Sequence, residues 1–113
     1  MKALLVRYDG TMQEVEVDNM DPYKNVKHVQ WSYGYGELVK TARQTVKYYV
    51  DGDGAMKGLP LNVKASKFYP VPNCIYGDAL FMHVELEYHE DGPDHVVGDL
   101  TFDDLVWIKE VIG

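Results

Sequence analysis

His83, Glu85, Glu87 and His89 stand at alternate positions of one stretch, Asp-Ala-Leu-Phe-Met-His-Val-Glu-Leu-Glu-Tyr-His over residues 78–89. Imidazole and carboxylate are donors that zinc and other divalent ions accept. A period of two puts all four on one face of a strand. Alternate residues of a strand lie roughly 6.5–7 Å apart, so four in a row do not converge on one ion. Two of them with a donor from another strand would. The same alternation is the ordinary wet face of a half-buried sheet, and that is the reading preferred here. A metal-binding protein or small enzyme using His83, Glu85, Glu87 and His89 is the alternative.

Other chemistry is sparse. Asp51-Gly52-Asp53-Gly54 resembles the start of a calcium loop, but the fifth, sixth and twelfth positions hold Ala55, Met56 and Asn62. The loop needs an oxygen ligand, Gly and a bidentate acid there. A turn is expected instead. Cys74 is the single cysteine. It has no neighbouring base and is expected to be a small buried residue. No nucleophile elbow, phosphate loop or dinucleotide fingerprint occurs. No catalytic residue, cofactor-binding residue or cofactor is therefore assigned. Lys24, Lys27, Lys40, Arg43, Lys47, Lys57, Lys64 and Lys67 are interleaved with Trp31, Tyr33, Tyr35, Tyr48 and Tyr49. Positive charge among aromatics suits single-stranded nucleic acid, but no recognition motif accompanies it.

The elements that position these residues follow from patterning. Residues 78–89 read as a central strand whose core face carries Leu80, Met82, Val84, Leu86 and Tyr88. Residues 2–8 and 11–17 flank Asp9-Gly10, which predicts a two-residue type I′ hairpin. Val15 and Val17 would then share a face with Leu4, Val6 and Tyr8. Asp21-Pro22 opens a helix with Pro22, Val26, Val29 and Tyr33 as its stripe and Gly34 as its stop. Residues 36–41 and 45–50 form two further strands. Pro60 starts a short helix to about Lys67, with Leu59 and Leu61 anchored in the core. Residues 90–98 read as a polar loop. The chain closes on a helix over 101–112, in which Thr101 and Asp104 make a capping box. Leu105, Ile108 and Ile112 form its core stripe, and Trp107 and Val111 a second apolar stripe. The result is one α+β domain over 1–113. A mostly antiparallel sheet of about five strands, in the order ββα–ββ–(α)–β–α, packs against two or three helices.

Charge divides the chain. Residues 1–67 carry ten Lys and Arg against eight Asp and Glu, whereas residues 68–113 carry Lys109 alone against ten acids. That disfavours nucleic acid and anionic membrane as partners of the second half and favours a basic one. No apolar run reaches the length of a membrane span, and the first residues do not read as a signal peptide. One cysteine excludes an intrachain disulfide, so a reducing cytoplasm is expected.

Several short motifs occur in order: Gly-Tyr-Gly-Glu at 34–37, Asp-Gly-Asp-Gly at 51–54, Gly-Leu-Pro-Leu-Asn at 58–62 and Ile-Tyr-Gly-Asp-Ala at 75–79. Together they resemble a family of small uncharacterised proteins, a domain of unknown function common in phages and mobile genetic elements. The Tyr35-Gly36-Glu37 form departs from that family's bulky residue before Glu. The resemblance spans most of residues 1–105 and brings no catalytic residue with it. It implies an accessory protein of a phage or mobile element, expressed in a bacterial host cytoplasm. The function expected is non-enzymatic: binding a host cytoplasmic protein, in an anti-defence role, through the acidic half. Glu85, Glu87, Asp91, Asp94, Trp107 and Val111 are the partner-binding candidates. A homodimer held through the C-terminal helix is a further alternative.

Overall fold

In chain order the elements are β1 (Lys2–Val6), β2 (Met12–Glu16), β3 (Gly36–Lys40), β4 (Val46–Asp51), α1 (Val63–Ser66), β5 (Ala79–His89), β6 (Gly92–Gly98) and α2 (Phe102–Ile112). The computed structural model describes residues 1–17, 36–68 and 74–113. The helix expected from Asp21-Pro22 to Gly34 lies outside the described residues. The fold is α+β. Its sheet runs β2-β1-β5-β4-β3 with β6 also paired to β5, and the strand pairings are antiparallel.

β5 has two halves of different character. Its first half lies between β1 and β4 and is buried on both faces. Phe81 packs with Leu4, Val6, Val46, Tyr48, Ile108 and Ile112 on the side of α1 and α2. Leu80, Met82 and Val84 pack with Ala3, Leu5, Tyr49 and Val97 on the other. Phe81, at period two with His83, Glu85, Glu87 and His89, thus belongs to a core. β4 begins at Val46, opposite His83, so beyond Val84 the strand has, among the described residues, β6 alone beside it. Leu86 and Tyr88 emerge there 44% and 78% exposed, so the core face expected for Leu80 through Tyr88 ends at Val84.

The polar loop expected over 90–98 is a strand. Glu90 and Asp91 make a two-residue turn between the paired His89 and Gly92, and Gly92 takes the positive φ of 113°. Pro93 sits opposite Tyr88. Val84 directs its N–H to Thr45 on the β4 side, so Tyr88 and its partner Pro93 direct their backbone groups away from each other. The missing N–H of Pro93 therefore falls on the outer edge of β6, where a proline costs no ladder bond.

The first hairpin also differs in register. Arg7 N–H donates to Thr11 O at 2.9 Å and Gly10 N–H to Arg7 O at 3.0 Å, so three residues and not two form the loop. Gly10 has φ 91°, and Asp9 Oδ1 accepts from the amide and hydroxyl of Thr11. One extra loop residue shifts the register by one and exchanges the faces. Leu4 therefore pairs Glu14 and Ala3 pairs Val15. Val15 and Val17 join the Leu5 face.

Gly-Leu-Pro-Leu-Asn is a brace around Asn62. The helix is shorter than expected, Val63–Ser66 with Asn62 as its cap, and Leu61 is exposed and bridges Tyr76. Asn62 is fully buried. Its Nδ2 donates to Val6 O and Gly77 O, and its Oδ1 accepts from Ala65 N–H. Asn62→Ala would leave two carbonyls and an amide without that partner, so a loss of about 3 kcal/mol is expected, read as a lower denaturation midpoint. A loss below about 1 kcal/mol would show that the brace is dispensable.

Candidate functional site

Asp104 is the most enclosed charged group of the described residues, with no exposed side-chain surface. As N3 of α2 its carboxylate accepts from Thr101 N–H at 3.0 Å while Thr101 Oγ1 accepts from its amide, the expected capping box. Its remaining capacity goes to other elements. Oδ1 accepts from Arg43 Nε at 2.7 Å and Thr45 Oγ1 at 3.0 Å, both in the turn between β3 and β4. Oδ2 lies 2.7 Å from His83 Nδ1 on β5. His83 Nε2 in turn lies 3.0 Å from Glu85 Oε1. Helix, turn and strand thus meet on one carboxylate.

Burial alone would raise the Asp104 carboxyl. Hydrogen bonds from Arg43, the Thr101 amide, His83 and Thr45 outweigh it and hold the group well below the ordinary 3.8. Burial alone would lower His83. Its bonds to Asp104 and Glu85, and then their charges, outweigh that and raise it above 6.5. Both ring nitrogens face carboxylates, and only the doubly protonated ring donates to both. A general base needs one nitrogen free to accept a proton from a nucleophile or substrate. Here Nε2 is held by Glu85, and Thr45 directs its hydroxyl to Asp104 and not to the ring. The arrangement is a charged latch between helix and sheet.

The row read from the sequence divides into couples. His83 is largely enclosed and joins Asp104 and Glu85. His89 Nε2 lies 3.6 Å from Glu87 Oε2, and both side chains are half exposed. Among the described residues no group of three His, Cys, Asp or Glu comes together to hold an ion. Thr45 and Asp104 are not site candidates in the sequence, and Arg43 is one there only as part of the basic and aromatic set weighed for nucleic acid. The capping box marks Asp104 but not its distant partners.

Beyond the latch, β5 and β6 project as a two-stranded ribbon. Glu87 lies directly opposite Asp94, and Glu85 opposite Val96. Glu90 and Asp91 form the tip, and Glu85, Glu87, Glu90, Asp91 and Asp94 are all exposed. Lys47, at the root of the ribbon, is buried and donates from Nζ to Gln44 O and Val84 O. Burial, then the charge of Lys40, lowers its pKa. On α2, Trp107 and Val111 are partly buried against the core, and Trp107 meets Phe68 at 5.4 Å between ring centroids. Phe102 and Val106 are the exposed apolar residues of that helix. Cys74 is exposed, contrary to expectation, and lines a cleft of about 210 Å³ with Asp51 and Tyr76. Asp51 pairs with Lys57 at 2.6 Å and accepts from Asp53 N–H, which makes the Asp-Gly-Asp-Gly run a braced turn. Lys64 donates to Gly10 O, and Lys67 to Ile112 O. Tyr48 and Tyr49 are buried. Among the described residues no helix is long and apolar enough to cross a membrane.

No family model, curated protein or solved structure matches the chain.

The latch has a pH signature. A raised folded pKa for His83 means its contribution to stability is complete below about pH 6.5 and is lost as pH rises through the folded value. The lowered pKa of Asp104 means its contribution is complete above the ordinary 3.8 and is lost only as pH falls well below it. Ring-proton NMR should therefore place the His83 midpoint above 6.5, and Asp104→Asn should move it down. Stability of the wild type should be lower at about pH 8 than at about pH 6, with that difference reduced in His83→Gln. A His83 midpoint at or below 6.5 in the wild type would contradict the latch.

Proposed function

We propose that the protein is a non-catalytic binding module that presents the acidic β5–β6 ribbon to a basic site on a partner protein. The observation that carries this reading is the placement of Glu85, Glu87, Glu90, Asp91 and Asp94 on one projecting ribbon. Between Lys67 and Lys109 the sequence has no lysine or arginine. A ribbon outside the core carries such charge with little loss of folding stability, and its field steers a basic partner. The occupied nitrogens of His83 favour binding over catalysis. The buried rings of Tyr48 and Tyr49 leave those residues no stacking surface for nucleic acid.

Within this proposal the resemblance to phage and mobile-element proteins supplies the setting. The partner is a host cytoplasmic protein, and the ribbon occupies a basic site that otherwise holds nucleic acid, an anti-defence role.

Affinity capture from bacterial lysate tests the reading with the wild type beside Glu87→Lys/Asp94→Lys. Both positions are exposed on the ribbon, so the core is left intact. A stoichiometric partner should be retained at low salt, released as the ionic strength screens the charges, and competed away by duplex DNA. The double variant should lose at least about tenfold in affinity for it. Equal retention of that partner by both proteins at all salt concentrations would overturn the acidic-ribbon reading.

A further inference from the structure

Among the described residues the ribbon has an unpaired backbone edge. β4 lies beside β5 only from Tyr49, opposite Leu80, to Val46, opposite His83. Val84 N–H then donates to Thr45 O, and the chain turns away. Thr41 Oγ1 on Val46 O and Val46 N–H on Arg43 O hold that turn, and Arg43 and Thr45 are tied to Asp104. Backbone groups alternate along an antiparallel strand. The N–H and C=O of Leu86 and Tyr88 therefore face the same edge as those of Val84, while residues 85, 87 and 89 turn theirs to β6. Among the described residues no strand pairs with β5 at 86 and 88 on that side. Two clefts of about 350 and 450 Å³ meet there and share Gln44, Lys47 and Leu86.

Edges of this kind accept an added strand. Lysine is a common device for blunting them, yet Lys47 is spent on Val84 O, at the closed end. The side chains beside the open lane alternate. Leu86 and Tyr88 lie on one face and Glu85 and Glu87 on the other, with Asp94 adding charge behind Glu87. An incoming strand in register sets apolar residues beside Leu86 and Tyr88 and cations beside the two glutamates. A second copy of the ribbon fits less well. The antiparallel register that pairs Leu86 with Tyr88 sets Glu87 against Glu87, with an Asp94 behind each, and opposed like charges destabilise.

The geometry points to strand addition: an extended partner segment that alternates Lys or Arg with Val, Ile or aromatic residues pairs antiparallel with the Leu86 and Tyr88 edge of β5. This rests on the acidic-ribbon reading and names the chemistry of the partner. In that register the apolar residues of the segment aim their amides at β5, and the basic residues aim theirs outward.

The full chain is titrated with a fluorescent synthetic peptide of alternating Lys and Val. Its controls are a block isomer with all Lys before all Val, and two N-methylated forms, one at every Val and one at every Lys. The alternating peptide should bind, and the Lys-methylated form should bind comparably. The block isomer and the Val-methylated form should each lose at least about tenfold. Amide exchange at Leu86 and Tyr88 should slow in the complex. Leu86→Pro removes an N–H that β6 does not use, and it should abolish binding while the β5–β6 cross-peaks persist. Equal binding of block and alternating peptides would overturn strand addition and leave the acidic ribbon standing as a charged surface. Tolerance of Val methylation, or loss on Lys methylation alone, overturns the antiparallel register and with it the proposal. No peptide binding, whether the protein is a monomer or a dimer that protects Leu86 and Tyr88 by itself, overturns it as well. A lysate partner still lost in Glu87→Lys/Asp94→Lys would then keep the charge reading.

Discussion

The carboxylate of Asp104 is the constraint from which the local architecture follows. A buried charge is tolerated only when its acceptor sites are filled, and breaking such a group costs several kcal/mol. Here the filling groups come from three separated parts of the chain. Thr101 belongs to the helix, His83 to the central strand, and Arg43 with Thr45 to a turn. Apolar packing of Ile108 and Ile112 holds α2 on the sheet but tolerates sliding, because burial has no direction. Hydrogen bonds of fixed length do not. Asp104 therefore sets where the helix begins over the sheet, and its acidic first turn, Asp103 and Asp104, suits the positive end of the helix dipole.

The same group shapes the sheet. Arg43 and Thr45 reach Asp104 from the turn before Val46, where the chain lies outside the lane of β4. That departure ends the covered part of β5. Inside it, both faces of the strand are buried and the side chains are Leu80, Phe81, Met82 and Val84. Outside it, one flanking strand remains among the described residues, and Leu86 and Tyr88 are exposed. The alternation of apolar and acidic residues continues without interruption across this boundary, but its physical meaning changes there. Val84 is a core residue, and Leu86, two positions on, is 44% exposed.

That boundary marks how far the sequence was legible. Period-two runs located β1 to β5, and Thr101 with Asp104 located the start of α2, because those signals are local. The hairpin register is not legible, since Asp9-Gly10 serves a two-residue and a three-residue loop equally, and one residue exchanges the faces. β6 is hidden in the sequence because Pro93 argues against a strand unless its N–H faces an outer edge, which only the pairing reveals. Cys74 was expected to be buried from its residue type, but exposure depends on what packs over it. The latch was the least visible feature. Arg43 lies 61 residues from Asp104 in sequence and His83 lies 21 away, and nothing in the local pattern ties either to it.

His83 links the two parts of the molecule. Its Nδ1 is held by the buried carboxylate of the body and its Nε2 by Glu85, the first acid of the ribbon. The sequence groups His83 with Glu87 and His89 by periodicity, yet its chemistry belongs to Asp104. A cation at this position does two things at once. It offsets the buried charge of Asp104, and it draws the carboxylate of Glu85 back toward the root of the ribbon. Among the described residues Glu87 and Asp94 have no ion pair with the body, since His89, beside Glu87, is itself on the ribbon. Among the described residues the acids from Glu87 outward are thus the ones left unpaired by the body, and the backbone edge at Leu86 and Tyr88 beside them has no pairing strand. Charge and hydrogen-bonding capacity coincide on this stretch because the latch consumes both on the inner side of it.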